Sequence, residues 1–174
     1  MTLFLVRHGL PLIEPGVAAA RWELDPAGFD DVWALRDRLP QGAAWCSSPE
    51  PKAIATAQLL TEGEVGVIDD LREHERSGAW IEDFPATVGQ AFAHPDVAAY
   101  DGWEPLAACR ARVVRAAINL LRTHAGQDVV LVGHGTAWTL LVAELTGEPP
   151  DLDRWASLAM PDIIEVSHRI RSGP

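Results

Sequence analysis

Cysteine is nearly missing. Cys46 and Cys109 are the only two in 174 residues. So sparse a count excludes a disulfide scaffold, and both lie in apolar segments, which reads as two buried free thiols in a cytoplasmic protein. Neither they nor the six scattered histidines fall at zinc-type spacing, so no metal site and no cofactor are expected. No apolar run approaches the roughly 20 residues of a membrane helix. No basic segment followed by a long apolar run opens the chain, so no secretion signal is expected. Positive charge is also scarce: 14 Lys and Arg face 25 Asp and Glu, a formal net charge of −11. That excludes nucleic acid as an expected partner, because phosphate backbones demand a basic surface. An anionic small substrate would need cations gathered locally against the overall field. Repeats, low-complexity tracts and interdomain linkers are missing too. The length suits one domain, residues 1–174, with a sizeable core.

What the chain does contain is an alternation of strand and helix signals, which predicts an α/β fold with a largely parallel sheet. Thr2 to Val6 reads as the first strand. Asp25 and Pro26 look like an N-cap and first helical residue, with Phe29, Val32, Trp33, Arg36 and Leu39 on one face and Pro40 as the stop. "AAWC" is a short strand. Ser48 then reads as the cap of a helix that takes Pro49 and Pro51 into its first turn, where a missing N–H is harmless. "EVGVI" is a third strand. About 81–102 reads as a helical insertion or lid, and a long helix runs from near Glu104 to His124. "DVVLVGHG" is nearly all apolar, as a strand covered on both faces should be. A helix with Thr136 as its cap and Gly147 just past its end follows. "DIIEVSH" closes the chain as an edge strand.

Two of these strands end alike. "LFLVRHG" and "VVLVGHG" each deliver a histidine and then a glycine at the carboxyl end, where ligands bind in open α/β sheets. His8 and His134 can therefore face one site although 126 positions separate them. Gly9 and Gly135 allow a tight turn and a close approach of a ligand to the backbone. Arg7 offers a planar fork suited to phosphate oxygens. The set suits phosphoryl transfer through a phosphohistidine: one neutral imidazole attacks phosphorus, and the other and the arginine stabilise charge on the moving oxygens. A carboxylic acid must then protonate the leaving oxygen.

"VRHG", "SSPEPKAIATA", "LREHERSG", "GWEPLAACRARV" and "GHG", taken in that order, resemble the motifs of the histidine phosphatase superfamily, also called phosphoglycerate mutase-like. The resemblance spans nearly the whole chain. It implies a three-layer α/β/α sandwich with a mainly parallel sheet and a histidine acid phosphatase-type phosphoric monoester hydrolase that needs no metal. It implies His8 as the nucleophile, Arg7 and His134 on the phosphoryl oxygens, and Glu73 as general acid, with Glu75 the alternative. Mutual repulsion between the two carboxylates can raise one pKa. The substrate would be a small phosphate monoester. A mutase is disfavoured by the short chain; a phosphoryl carrier or a protein-phosphohistidine phosphatase also suits its size.

Three departures from the family pattern stand out. Lys52 occupies the place of the family's second arginine and keeps the charge without the fork. It either reaches phosphate from the fourth helical position or is a solvated first-turn lysine; Arg72 or Arg76 is an alternative source of the fork. "LPLIE" replaces the usual Glu-Thr-x-x-Asn, and Trp103 and Pro105 replace a Gly and a Ser. These departures motivate a second reading, a catalytically weak phospholigand-binding or regulatory protein on the same fold. Of the seven tryptophans, Trp80 and Trp103 are candidates for a substrate wall against a ring or apolar leaving group. His74 is either a partner of Glu73 or a surface residue. Arg21 is a candidate contact for an anionic substrate, and His94, His124 and His168 are read as structural.

Overall fold

The computed structural model describes residues 1–78 and 80–167. Five strands form one sheet in the order β3-β2-β4-β1-β5. They are β1 (Thr2–Arg7), β2 (Ala44–Ser47), β3 (Val65–Val67), β4 (Val129–Gly133) and β5 (Asp162–Ser167). All pairings are parallel except that of β5, which runs antiparallel to β1 at the edge. The helices are α1 (Phe29–Trp33), α2 (Pro51–Leu60), α3 (Phe84–Ala93), α4 (Leu106–Thr123), α5 (Gly135–Thr146) and α6 (Leu152–Ser157). Among the described residues no helix is long and apolar enough to cross a membrane.

Strand alternation divides the core into two layers. Leu3 and Leu5 of β1 and Val129 and Leu131 of β4 face Cys109, Val113 and Ala117 of α4 and Trp138 and Leu141 of α5. Val6, Val130 and Val132 point the other way, against Val32 of α1 and Ala53, Ala57 and Leu60 of α2. The sheet is thus covered on both faces. Cys46 and Cys109 are buried and free within the first layer.

Gly133 closes β4 under the Trp138 indole. A Cβ there would stand 2.6 Å from Trp138 Cζ2. The ring cannot retreat easily: it is fully buried, and its Nε1 donates to the Val6 carbonyl at 2.9 Å. Gly133→Ala therefore overpacks the core. The expected cost is about 1–3 kcal/mol, a fall in Tm of roughly 2–12 °C by thermal unfolding. An unchanged Tm would show that the indole shifts freely.

Several helix starts differ from the sequence reading. Asp25 caps as expected, accepting from the Ala27 N–H, but the segment beyond it breaks into a 3₁₀ turn (Pro26–Gly28), α1, and a second 3₁₀ turn (Arg36–Arg38). Only Val32 and Leu39 of the expected face are buried; Phe29 and Trp33 are exposed. With little apolar surface to dock, nothing prolongs the helix. α2 is capped by Glu50, not Ser48, and begins at Pro51. The cause is local: a residue before proline avoids the helical region, and Glu50 is extended at φ −73°, ψ 134°. Lys52 consequently stands at the second helical position rather than the fourth. α5 begins two residues earlier than a Thr136 cap would allow, with His134 in the cap position. The short helix α6 carried no strong sequence signal; Asp151 caps it through the Arg154 N–H. His168 lies outside the described residues.

Candidate active site

β1 and β4 are hydrogen-bonded neighbours, with Arg7 paired to Gly133. The next residue on each strand is a histidine, and the His8 N–H donates to the Gly133 carbonyl at 2.9 Å. The two rings meet edge to face, centroids 5.2 Å apart. His8 Nδ1 lies 2.7 Å from the Gly9 carbonyl oxygen. A carbonyl only accepts, so Nδ1 carries the proton and Nε2 keeps a free electron pair. Burial, and then the His134 ring, push the His8 pKa down to about 3. Burial also dominates at His134; with the nearby cations it outweighs Glu73 and brings that ring to about 3. Both imidazoles are therefore neutral at pH 7. His134 Nε2 lies 2.6 Å from Ser48 Oγ and 3.3 Å from Glu50 Oε1.

Glu73 comes from the loop after β3 and caps α5 from outside that helix. Its Oε2 accepts the Thr136 N–H at 3.1 Å, and its Oε1 accepts those of Ala137 and His74, each at 2.9 Å. Burial alone would raise its pKa. The Arg76 guanidinium, the His134 ring and the backbone donors overcome that and hold it at about 2. Arg112 of α4 fixes the loop, donating to the carbonyls of Asp70 (3.1 Å), Arg72 (2.6 Å) and Glu73 (2.7 Å) while paired with half-buried Glu104. Glu104 in turn accepts the Glu75 N–H at 2.8 Å.

Above the imidazoles opens a cavity of about 1050 Å³. Arg7, His8, Glu73 and His134 lie at its base. Trp22, Phe84 and Trp103 are among its apolar walls. Arg7 donates to the Leu158 carbonyl, and its buried Nε has no partner among the described residues. A Cβ on Gly135 would stand 3.4 Å from that Nε, in van der Waals contact with the guanidinium.

A model of the histidine phosphatase superfamily (branch 1) matches residues 3–169. The chain belongs to that superfamily. Among solved structures it resembles a mycobacterial glucosyl-3-phosphoglycerate phosphatase at 22% identity and TM-score 0.74, covering 94% of this chain and 88% of that one. It resembles a phosphoserine phosphatase mutant from Entamoeba histolytica, bound to phosphoserine, at 18% identity and TM-score 0.76, over 97% and 91% of the two chains. Bacillus stearothermophilus YhfR gives 22% identity and TM-score 0.76, over 97% and 92%. A search among curated proteins found no match.

Within this superfamily fold, some candidate residues lie away from the imidazole pair. Glu75 is half exposed and bound to Arg72 at 2.6 Å, so it does not share a buried site with Glu73. The expected mutual repulsion gives way to a lowered Glu73 pKa. Gly9 is not among the cavity-lining residues. Its N–H donates to Thr56 Oγ1, and a Cβ would lie 2.5 Å from Val32 Cγ2, so its smallness serves packing rather than ligand approach. Arg21 is exposed and does not line the cavity, and His94 and His124 end α3 and α4. His74 is buried, donating Nε2–H to the Glu104 carbonyl at 2.8 Å and packing on Trp103 at 5.3 Å. Trp103 is buried against the cavity, whereas Trp80 is 81% exposed at its rim.

Sequence reasoning missed Glu50 and Arg112. Glu50 is buried; its Oε1 accepts the Glu73 N–H at 2.8 Å and its Oε2 meets Lys52 Nζ at 2.5 Å. The Pro-Glu-Pro run was the available signal, since flanking prolines pin the carboxylate-bearing residue in one extended conformation. No local signal marked Arg112, whose three carbonyl partners lie 39 to 42 positions away.

Proposed function

We propose that the protein is a phosphatase that hydrolyses a small phosphate monoester through a phosphohistidine at His8. The observation that carries this reading is the His8 ring: neutral, protonated on Nδ1, with the Nε2 pair free beside a second neutral imidazole. In the first step Nε2 attacks phosphorus, and a P–N bond forms as the ester P–O bond breaks. Glu73 gives the leaving oxygen its proton. In the second step water attacks phosphorus, Glu73 takes its proton, and the P–N bond breaks. Inorganic phosphate leaves and His8 is neutral again. Arg7 and His134 meet the phosphoryl oxygens as charge moves onto them. The structural relatives named as phosphatases support the reaction type. The apolar walls at Trp103 and Phe84 suit a leaving group with a ring or alkyl surface.

Glu73 is ionised in the free protein, so the proton it delivers must arrive with the substrate. A phosphate monoester carries one until its second ionisation near pH 6. His8, His134 and Glu73 all titrate at or below about 3, so these three groups keep their charge between pH 4 and 8. For an alkyl phosphate, kcat/KM is expected to be level from about pH 4 to 6 and to fall tenfold per unit above about 6. Turnover should persist in chelator, because Arg7 and His134 supply the stabilisation a metal would. The check is phosphate release from a panel of aryl and alkyl phosphates in EDTA across that range. No turnover of any ester, or turnover only with added metal, would refute the reading.

A further inference from the structure

Three cations besides Arg7 line the cavity: Lys52, Arg72 and Arg76. Arg72 is held at the surface by Asp69 at 2.9 Å and Glu75 at 2.6 Å. Lys52 is buried, 2.5 Å from Glu50 Oε2, and its Nζ also donates to the Ala19 carbonyl at 2.6 Å. Turning Lys52 toward a ligand would leave a buried carboxylate uncompensated. Arg76 is different. Among the described residues no carboxylate lies within ion-pair distance of it. Its Nη2 donates to Thr136 Oγ1 at 2.8 Å, beside the amide that holds Glu73. Its Nε is buried and has no partner among the described residues. Its guanidinium lies over the Phe84 and Trp103 rings, 4.9 and 5.2 Å from their centroids. Those rings orient the cation without neutralising it.

We propose that Arg76, rather than Lys52, is the second cation that binds the phosphoryl group, and that the buried Glu50–Lys52 pair positions Glu73 and His134. Arg7 and Arg76 then present to one anion two guanidiniums that no carboxylate pairs among the described residues, each with a buried Nε–H that has no partner among them. Glu50 acts from behind: one oxygen receives the Glu73 N–H and lies 3.3 Å from His134 Nε2, the other is fixed by Lys52. Three cations against two carboxylates leave one positive charge, which matches a phosphate monoanion. That the anion is a phosphoryl group rests on the phosphatase reading; the test below separates the two.

The test measures binding of inorganic phosphate to the full chain by calorimetry, and aryl phosphate turnover, for wild type, Arg76→Gln, Arg76→Lys and the double variant Glu50→Gln/Lys52→Met. Arg76→Gln is expected to raise the phosphate Kd at least thirtyfold, and Arg76→Lys to restore only part of it, since the fork is lost. The double variant should raise Kd less than fivefold while lowering kcat more than it changes KM, the signature of a positioning role. Lys52 is the only lysine in the chain, so its ε-methylene NMR signal reports on it without mutation, even if the double variant fails to fold. That signal should barely move when wild type is titrated with phosphate. A large shift there, together with wild-type affinity in Arg76→Gln, would overturn the proposal. If phosphate binds with this Arg76 dependence but no ester is turned over, the phosphatase reading falls and the Arg76 assignment stands. Ester turnover indifferent to Arg76 reverses that outcome.

Discussion

His8→Ala is expected to lower turnover of any phosphate ester by roughly 10⁴-fold or more. No other group at the base of the cavity can replace it. The His134 ring is neutral, but its Nε2 is engaged by Ser48 Oγ at 2.6 Å and sits beside Glu50. The Arg7 guanidinium has no nucleophilic pair. The fold should survive, because the His8 side chain makes one local hydrogen bond, to the Gly9 carbonyl, and the edge-to-face contact with His134, while β1 is held by its ladders to β4 and β5. Phosphate binding should persist, as Arg7 and His134 remain. Rapid acid-free quenching followed by mass spectrometry should show a phosphorylated peptide containing residue 8 in wild type and none in the variant. Activity within tenfold of wild type would remove His8 from the chemistry.

Glu73→Gln should divide substrates by leaving group. An alkoxide cannot depart without a proton, so alkyl phosphates are expected to lose about 10²- to 10⁴-fold in kcat/KM. A nitrophenolate leaves without help, so 4-nitrophenyl phosphate should still phosphorylate His8 at a rate within about tenfold of wild type. The amide cannot activate water, so the phosphoenzyme should then accumulate and product should appear as a burst. Equal losses for both ester types would exclude Glu73 as the acid. Stability needs a parallel measurement. The carboxylate accepts three backbone N–H groups, and a carboxamide nitrogen cannot accept. At least one donor is left unpaired, at a cost of about 1–3 kcal/mol. The pH dependence of stability changes as well. Glu73 titrates at about 2 when folded, below its ordinary 4.5. Its stabilising contribution is thus present above about pH 4.5 and lost as pH falls towards 2. The variant lacks that part of the acid sensitivity. The two histidines keep theirs: held neutral down to about 3, they lose stability as pH falls from 6.5 towards 3.

Much of the fold and part of the site were legible in the sequence. The apolar runs ending in Arg7-His8-Gly9 and Gly133-His134-Gly135 marked two buried strands with imidazoles at their carboxyl ends, and those strands are neighbours in the sheet. The prolines around Glu50 carried enough information to place the α2 start, although Ser48 is the more familiar cap. Glu73 and Glu75 were harder to tell apart. Two residues apart, they have similar local context; what separates them is that Arg72 takes one at the surface while the first turn of α5 takes the other.

The sequence by itself determined the strand and helix layers, the two histidines and the histidine phosphatase pattern. Strand alternation, proline stops and motif order act over a few residues and need no distant partner. Only the tertiary structure decided which charges are free. Glu50 takes Lys52, α5 takes Glu73, Arg112 holds the acid loop, and Arg76 is left beside the cavity with no carboxylate within ion-pair distance among the described residues. Apart from the Glu50–Lys52 pair, those contacts join residues 39 to 64 positions apart. The reason is physical: a buried charge is governed by whatever the fold brings within a few ångströms of it, and no local pattern records that.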